Sequence, residues 1–171
     1  MPVNDALAPS QNGADTRASD AASRERPLAL PQRPTDVDFD AVIIGAGVSG
    51  IGAAYYLQRY HPTKTYLIVE AREAIGGTWD LFRYPGIRSD SDLHTFGYEF
   101  KPWTGEKAIA DGPSIKAYIE ETAREYGIDQ RIRFGHKVVA ARWSSETASW
   151  TLELERVADG ERSEVTCRWL F

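Results

Sequence analysis

The chain has 171 residues, with 20 Lys and Arg against 25 Asp and Glu and a net charge of −5. That balance disfavours a nucleic-acid partner, whose phosphates call for excess cations, and no apolar run approaches membrane-spanning length. A single cysteine, Cys167, excludes a disulfide framework and fits the reducing cytosol, so a cytoplasmic location is expected.

Residues 1–36 hold five of the nine prolines and no aromatic residue, with Ala, Ser, Asp and Arg scattered without period. Such a segment has too little apolar surface to fold and is read as a disordered extension, leaving residues 37–171 as the folded domain. Pro27-Leu28-Ala29-Leu30-Pro31 is too short for the core of a secretory signal, and Asp5, Asp15, Asp20 and Glu25 argue against an organelle transit peptide.

Phe39-Asp40-Ala41-Val42-Ile43-Ile44 is a short apolar run of the kind buried in a parallel sheet. It leads into Gly45-Ala46-Gly47-Val48-Ser49-Gly50, and Ile51 to Tyr60 reads as a helix. In such a strand-turn-helix unit Gly45 allows the tight turn, Gly47 lets the backbone approach a pyrophosphate, and Gly50 lets the helix pack closely on the sheet. The anion then rests on open N–H groups at the helix N-terminus, where the dipole favours it. Three glycines also fit an ordinary tight turn, so the context carries the weight. A second apolar strand, Thr65-Tyr66-Leu67-Ile68-Val69, ends in Glu70, twenty positions beyond Gly50, where the ribose hydroxyls of an adenine dinucleotide need an acceptor. A carboxylate there repels a 2′-phosphate, which predicts FAD or NAD rather than NADP at this first site.

Gly76-Gly77-Thr78-Trp79 follows closely, and paired glycines so near the ribose suggest backbone lying against the dinucleotide. Trp79 stands where a flavoprotein disulfide reductase would carry redox cysteines, so dithiol chemistry is excluded at this position. Arg83-Tyr84-Pro85-Gly86-Ile87-Arg88-Ser89-Asp90 then places a Pro-Gly turn beside cations and a carboxylate. Further on, Ser114 is taken as the N-cap of a helix to Tyr126, with Ile115, Tyr118, Ile119, Thr122, Ala123 and Tyr126 on one face and Gly127 as the stop. Strands over 137–143, 150–157 and 163–171 are expected to form an antiparallel meander with one wet face, because Trp150, Leu152 and Leu154 alternate with Thr151, Glu153 and Glu155. Cys167 reads as a small buried hydrophobe, and Trp143 and Trp169 as packing residues. His61, His94 and His136 show no ligand spacing, so no metal site is expected, and His94 is at most a supporting group near the cofactor.

The glycine loop, Glu70, Gly76-Gly77-Thr78-Trp79 and the stretch from Arg83 through Asp90-Ser91-Asp92-Leu93-His94-Thr95-Phe96-Gly97-Tyr98 resemble the class B flavoprotein monooxygenases. Within that class the chain is similar to Baeyer–Villiger monooxygenases of the ethionamide-activating type, over nearly everything after residue 38. The resemblance implies an α/β fold, a Rossmann-like FAD-binding domain with a parallel sheet, helices and an antiparallel β-meander, followed in the family by an NADPH-binding domain. It implies that Gly45, Gly47, Ser49 and Gly50 meet the FAD pyrophosphate, that Glu70 holds the ribose, and that Gly77, Thr78, Trp79, Asp80 and Leu81 run along the flavin end. It further implies that the Val138 backbone meets the adenine and that Arg88, Ser89 and Asp90 lie near the NADP nicotinamide. Asp90 matches a catalytic carboxylate that orients an arginine supplied from outside this chain.

The chemistry so implied begins with hydride transfer from NADPH to FAD, after which O2 gives a C4a-peroxyflavin. An anionic peroxide attacks a ketone to give an ester or lactone; a protonated one passes oxygen to a sulfur or nitrogen compound. A non-catalytic FAD-binding remnant is the reading from a different class. No second Gly-x-Gly-x-x-Gly occurs, and the apolar run Cys167-Arg168-Trp169-Leu170-Phe171 has no stop signal. The chain is therefore expected to be an N-terminal fragment that stops inside a core strand, inactive alone and lacking the central strand of its sheet.

Overall fold

The computed structural model describes residues 37–171; the predicted extension over residues 1–36 lies outside the described residues. The chain runs β1 (Phe39–Ile44), α1 (Val48–Tyr60), β2 (Tyr66–Val69), then short helices α2 (Thr78–Leu81) and α3 (Leu93–Phe96) and the longer α4 (Gly112–Glu125). A 3-10 turn at Asp129–Arg131 precedes β3 (Ile132–Arg133), and β4 (His136–Ser144), β5 (Ser149–Arg156) and β6 (Arg162–Leu170) complete the fold. Among the described residues, the six strands form one sheet in the order β3-β2-β1-β6-β5-β4. Parallel pairing joins β3, β2, β1 and β6, while β6, β5 and β4 form the predicted antiparallel meander.

One strand belongs to both halves. β6 pairs antiparallel with β5 through Trp150↔Cys167 and parallel with β1 through Phe39↔Cys167 and Val42↔Leu170. Phe171 continues the parallel register: its N–H donates to Val42 O, and its carbonyl accepts from Ile44 N–H, each at 2.9 Å. The expectation of a missing central strand is therefore corrected, since β1 is paired along both edges and its backbone groups are satisfied.

The period of two sorts β1 and β2 onto two cores. Ala41, Ile43, Tyr66 and Ile68 face α1 and α4, where Ile51, Ile115 and Ile119 are fully buried. Val42, Leu67 and Val69 face the other way, against Leu152, Leu154, Val165 and Cys167. Cys167 is fully buried, as its alternation predicted. Each such aliphatic side chain contributes roughly 1.5–3 kcal/mol of burial.

Two details differ from the sequence reading. α4 begins at Gly112 with Asp111 as its cap: the Asp111 carboxylate accepts from Ser114 N–H at 2.9 Å, and Pro113 occupies the first turn, where its missing N–H costs nothing. Ser114 is thus inside the helix. Trp169 is exposed instead of packed, and Trp143 is half exposed with its ring against Trp150 at a centroid distance of 5.4 Å. No helix among the described residues is long and apolar enough to cross a membrane.

Candidate dinucleotide-binding site

In the β1–α1 turn Gly45 and Gly50 do what their spacing predicts. Gly45 takes φ +95°, a conformation closed to most side chains. A Cβ on Gly50 would run into the Gly45 carbonyl, so the first turn of α1 lies directly on the loop only because position 50 has no side chain. Gly47 is the α1 cap residue, with no side chain capping the helix and no acidic residue in the first turn. The N–H groups of that turn have no intrahelical acceptor, and the exposed Ser49 sits among them.

The second glycine pair closes the opposite wall. Gly76 N–H donates to Ala46 O at 3.0 Å. A Cβ on Gly77 would lie 3.0 Å from Gly47 Cα, and one on Gly47 would lie 3.5 Å from Gly77 Cα. The two segments therefore meet backbone to backbone. Between them runs a cleft of about 270 Å³ lined by Gly45, Gly47, Ser49, Gly50, Gly77, Thr78 and Trp79, with Ile44, Val48 and Gly76.

Glu70 lies below the loop and is buried. Its Oε2 accepts from Ala46 N–H at 2.7 Å and its Oε1 from Arg72 N–H at 2.9 Å. Each carboxylate oxygen carries two acceptor sites, so both retain one for a hydroxyl. The Glu70 carbonyl accepts from His136 N–H at 3.0 Å, which starts β4 beside it. Val138 follows two residues later, half-buried against the β5–β6 layer and not among the residues lining the glycine cleft.

In α2 the predicted residues diverge. Thr78 and Trp79 face the cleft, and Leu81 is exposed. Asp80 points elsewhere: it is 3% exposed and meets three cations. Lys116 Nζ lies 2.8 Å from Oδ1, Arg83 donates to Oδ1 at 2.9 Å, and Arg72 holds Oδ2 with Nε at 3.0 Å and a second, shorter contact. Lys116 first, then Arg72 and Arg83, hold the Asp80 carboxyl far below the usual carboxylate range. The carboxylate is thus taken up by an internal ion cluster and does not line the cleft.

Arg88, Ser89 and Asp90 lie in a second hollow, about 600 Å³, with Tyr84, Gly86 and Ile109. The Pro85-Gly86 turn feeding it is closed by Ile87 N–H on Tyr84 O at 3.2 Å, with Gly86 at φ +82°. Ser89 is buried, its N–H on Ala110 O at 3.0 Å and its Oγ accepting from Ser91 N–H, whereas Asp90 is exposed. Among the described residues lining the hollow, Asp90 is the acidic one. His94 is exposed and lines neither cavity.

The sequence reading missed the partners of Asp80 and the role of Tyr98. The Tyr98 hydroxyl donates to Val48 O at 2.7 Å, and its ring stands 3.1 Å from where a Cβ on Gly52 would sit. Burial raises the Tyr98 phenol above its ordinary pKa, which keeps it a donor to the loop. Gly52, a glycine inside a helix, was the signal for that close approach.

Residues 43–104 match the family described as an NAD(P)-binding Rossmann-like domain. The chain is 56% identical over 133 residues to the FAD-containing monooxygenase EthA of Mycobacterium tuberculosis, an alignment covering 78% of this chain and 27% of that protein. In three dimensions it is similar to OTEMO, solved in complex with FAD and NADP, at TM-score 0.68 and 33% identity, covering 79% of this chain and 25% of that one. It is likewise similar to an oxidized steroid monooxygenase bound to NADP, at TM-score 0.69 and 32% identity, covering 77% and 25%. The chain thus spans about a quarter of the length of the proteins it matches. It is a Rossmann-like domain homologous to part of the FAD-containing monooxygenases.

Proposed function

We propose that this chain is the FAD-binding portion of an NADPH-dependent monooxygenase that uses O2 to insert oxygen beside a ketone carbonyl, the Baeyer–Villiger reaction. The observation that carries the reading is the uncapped start of α1 facing Gly77 across a cleft, with Glu70 hydrogen-bonded to the loop that forms one side of it. Homology to FAD-containing monooxygenases and similarity to structures holding FAD and NADP support it.

The residues fit the cofactor. The first-turn N–H groups of α1, with Ser49 among them, offer donors to a diphosphate, and no carboxylate stands in that turn to repel it. Glu70 offers an acceptor to each of two ribose hydroxyls while still gripping the loop. Gly77, Thr78 and Trp79 form the wall along which the flavin half extends. Bound FAD would supply the redox chemistry, taking two electrons from NADPH as hydride and giving them to dioxygen, of which one oxygen atom enters the ketone and the other leaves as water.

The hollow with Arg88, Ser89 and Asp90 would take the nicotinamide side. There the exposed Asp90 carboxylate would orient an arginine from outside this chain, placing a positive charge where oxygen carries a negative one. The test is to express the 171 residues, titrate with FAD, and follow NADPH with and without a ketone. Saturable FAD binding without ketone-dependent NADPH consumption is expected, since the chain spans a quarter of its relatives. Binding of NADPH in preference to FAD would overturn the cofactor assignment, and ester formation by the chain alone would overturn its reading as a portion.

A further inference from the structure

The Asp80 cluster lies outside the cleft and no step of the proposed reaction uses it, yet it draws together three segments that lie around the two cavities. Arg72 comes from the loop after β2, Arg83 opens the Pro-Gly turn, and Lys116 stands on α4. Arg83 grips twice, its Nε donating to the Asp80 main-chain carbonyl at 3.0 Å in addition to its contact with Oδ1. A Cβ on Gly76 would lie 3.1 Å from Lys116 Cγ and 3.2 Å from Asp80 Cβ. The backbone of the glycine pair is therefore clamped between the cluster on one side and Gly47 of the loop on the other.

We infer that Asp80 is a positioning residue for the bound dinucleotide: from behind the wall it fixes the Gly76-Gly77 backbone against Gly47, and through Arg83 it fixes the turn that carries Arg88, Ser89 and Asp90. This rests on the FAD reading above. A buried carboxylate suits the task, because its two oxygens are shared by three cations from separate segments, and holding all three contacts sets the spacing of those segments. The side chain is short and buried, so the clamp has little slack, and small displacements of a cofactor wall cost binding and geometry together.

The experiment titrates FAD into the full 171-residue chain and its D80N and R83Q variants, reading flavin fluorescence for affinity, visible circular dichroism for the setting of the isoalloxazine, and urea midpoints for the fold. D80N is expected to weaken FAD at least tenfold and to change the visible dichroism. Arg83 is 74% exposed, so R83Q should keep the wild-type urea midpoint while changing the dichroism and losing affinity severalfold. A merely structural role would leave the dichroism of R83Q untouched. If D80N does not fold, R83Q decides. Wild-type protein that fails to bind FAD overturns the cofactor reading and this inference with it. Wild-type binding together with unchanged affinity and dichroism in the variants overturns the inference alone.

Discussion

Glu70 Oε2 accepts a hydrogen bond from Ala46 N–H at 2.7 Å, so the carboxylate at the end of β2 is fastened to the glycine loop at the end of β1. Side chain and loop shape each other, and in the proposed function they would hold the ribose and the pyrophosphate.

Glu70→Arg should therefore do two kinds of damage. It removes the hydroxyl acceptor and leaves Ala46 N–H without its partner, for a loss of about 1–3 kcal/mol in FAD binding. Gel filtration of the FAD-loaded variant checks this: retained yellow colour equal to wild type contradicts the assignment. Glu70→Gln, which loses the charge and keeps one acceptor oxygen for the two N–H groups that Glu70 now holds, should fall between Glu70→Arg and the wild type.

Gly50→Ala tests the contact between loop and helix. The added methyl would meet the Gly45 carbonyl, a backbone atom that cannot move without opening the turn. We expect a loss of ~3 kcal/mol or more, measured as a drop in urea midpoint. An alanine variant of wild-type stability would mean that the turn can open to admit a methyl group beside the Gly45 carbonyl.

Asp80 predicts an acid dependence of stability. Its folded pKa is depressed, chiefly by Lys116 and then Arg72, so its contribution is present above the pKa of the unfolded carboxyl and is lost as pH falls below it toward the folded value. Wild-type chain should lose stability steadily below about pH 4, and D80N should lack that part of the slope while starting roughly 3–5 kcal/mol lower at neutral pH. Unfolding curves at several pH values decide, and parallel slopes for the two proteins would remove Asp80 from the account.

In a full-length protein carrying this segment, Asp90→Ala should leave FAD bound, because Asp90 lies in the second hollow and outside the glycine cleft. Product formed per NADPH should fall and hydrogen peroxide rise, as the arginine loses its partner. An unchanged ratio of product to NADPH would argue against the role.

Much of the site was legible because local pattern encodes it. The apolar run and the glycine spacing depend on neighbours within a few residues and Glu70 on a fixed offset from the loop, and the structure reproduces β1, α1 and β2 with α1 starting three residues earlier than read. The meander was equally visible from its alternation. What could not be read depends on distant partners. β3 is two residues long and has no period to detect, while the double duty of β6 depends on pairing with β1 far away in sequence. The start of α4 was misplaced because Asp111-Gly112-Pro113 looks like a turn until Asp111 is seen capping Ser114. Asp80 read as part of the cofactor wall, since nothing local reveals that Lys116 reaches it.

The seating of β6 also bears on the order in which the molecule can assemble. Asp38 and Thr166 are 128 residues apart, yet Thr166 N–H donates to Asp38 Oδ2 at 2.7 Å and Asp38 N–H donates to Thr166 Oγ1 at 3.1 Å, latching the start of β1 to β6. During synthesis β1, the glycine loop and β2 emerge early, but one edge of β1 must wait for nearly the whole described chain. The closure entropy of that long segment has to be met before the pairing rewards it. A nascent chain halted before residue 162 would hold a glycine loop on a strand open along one side, a state prone to pairing with the wrong edge.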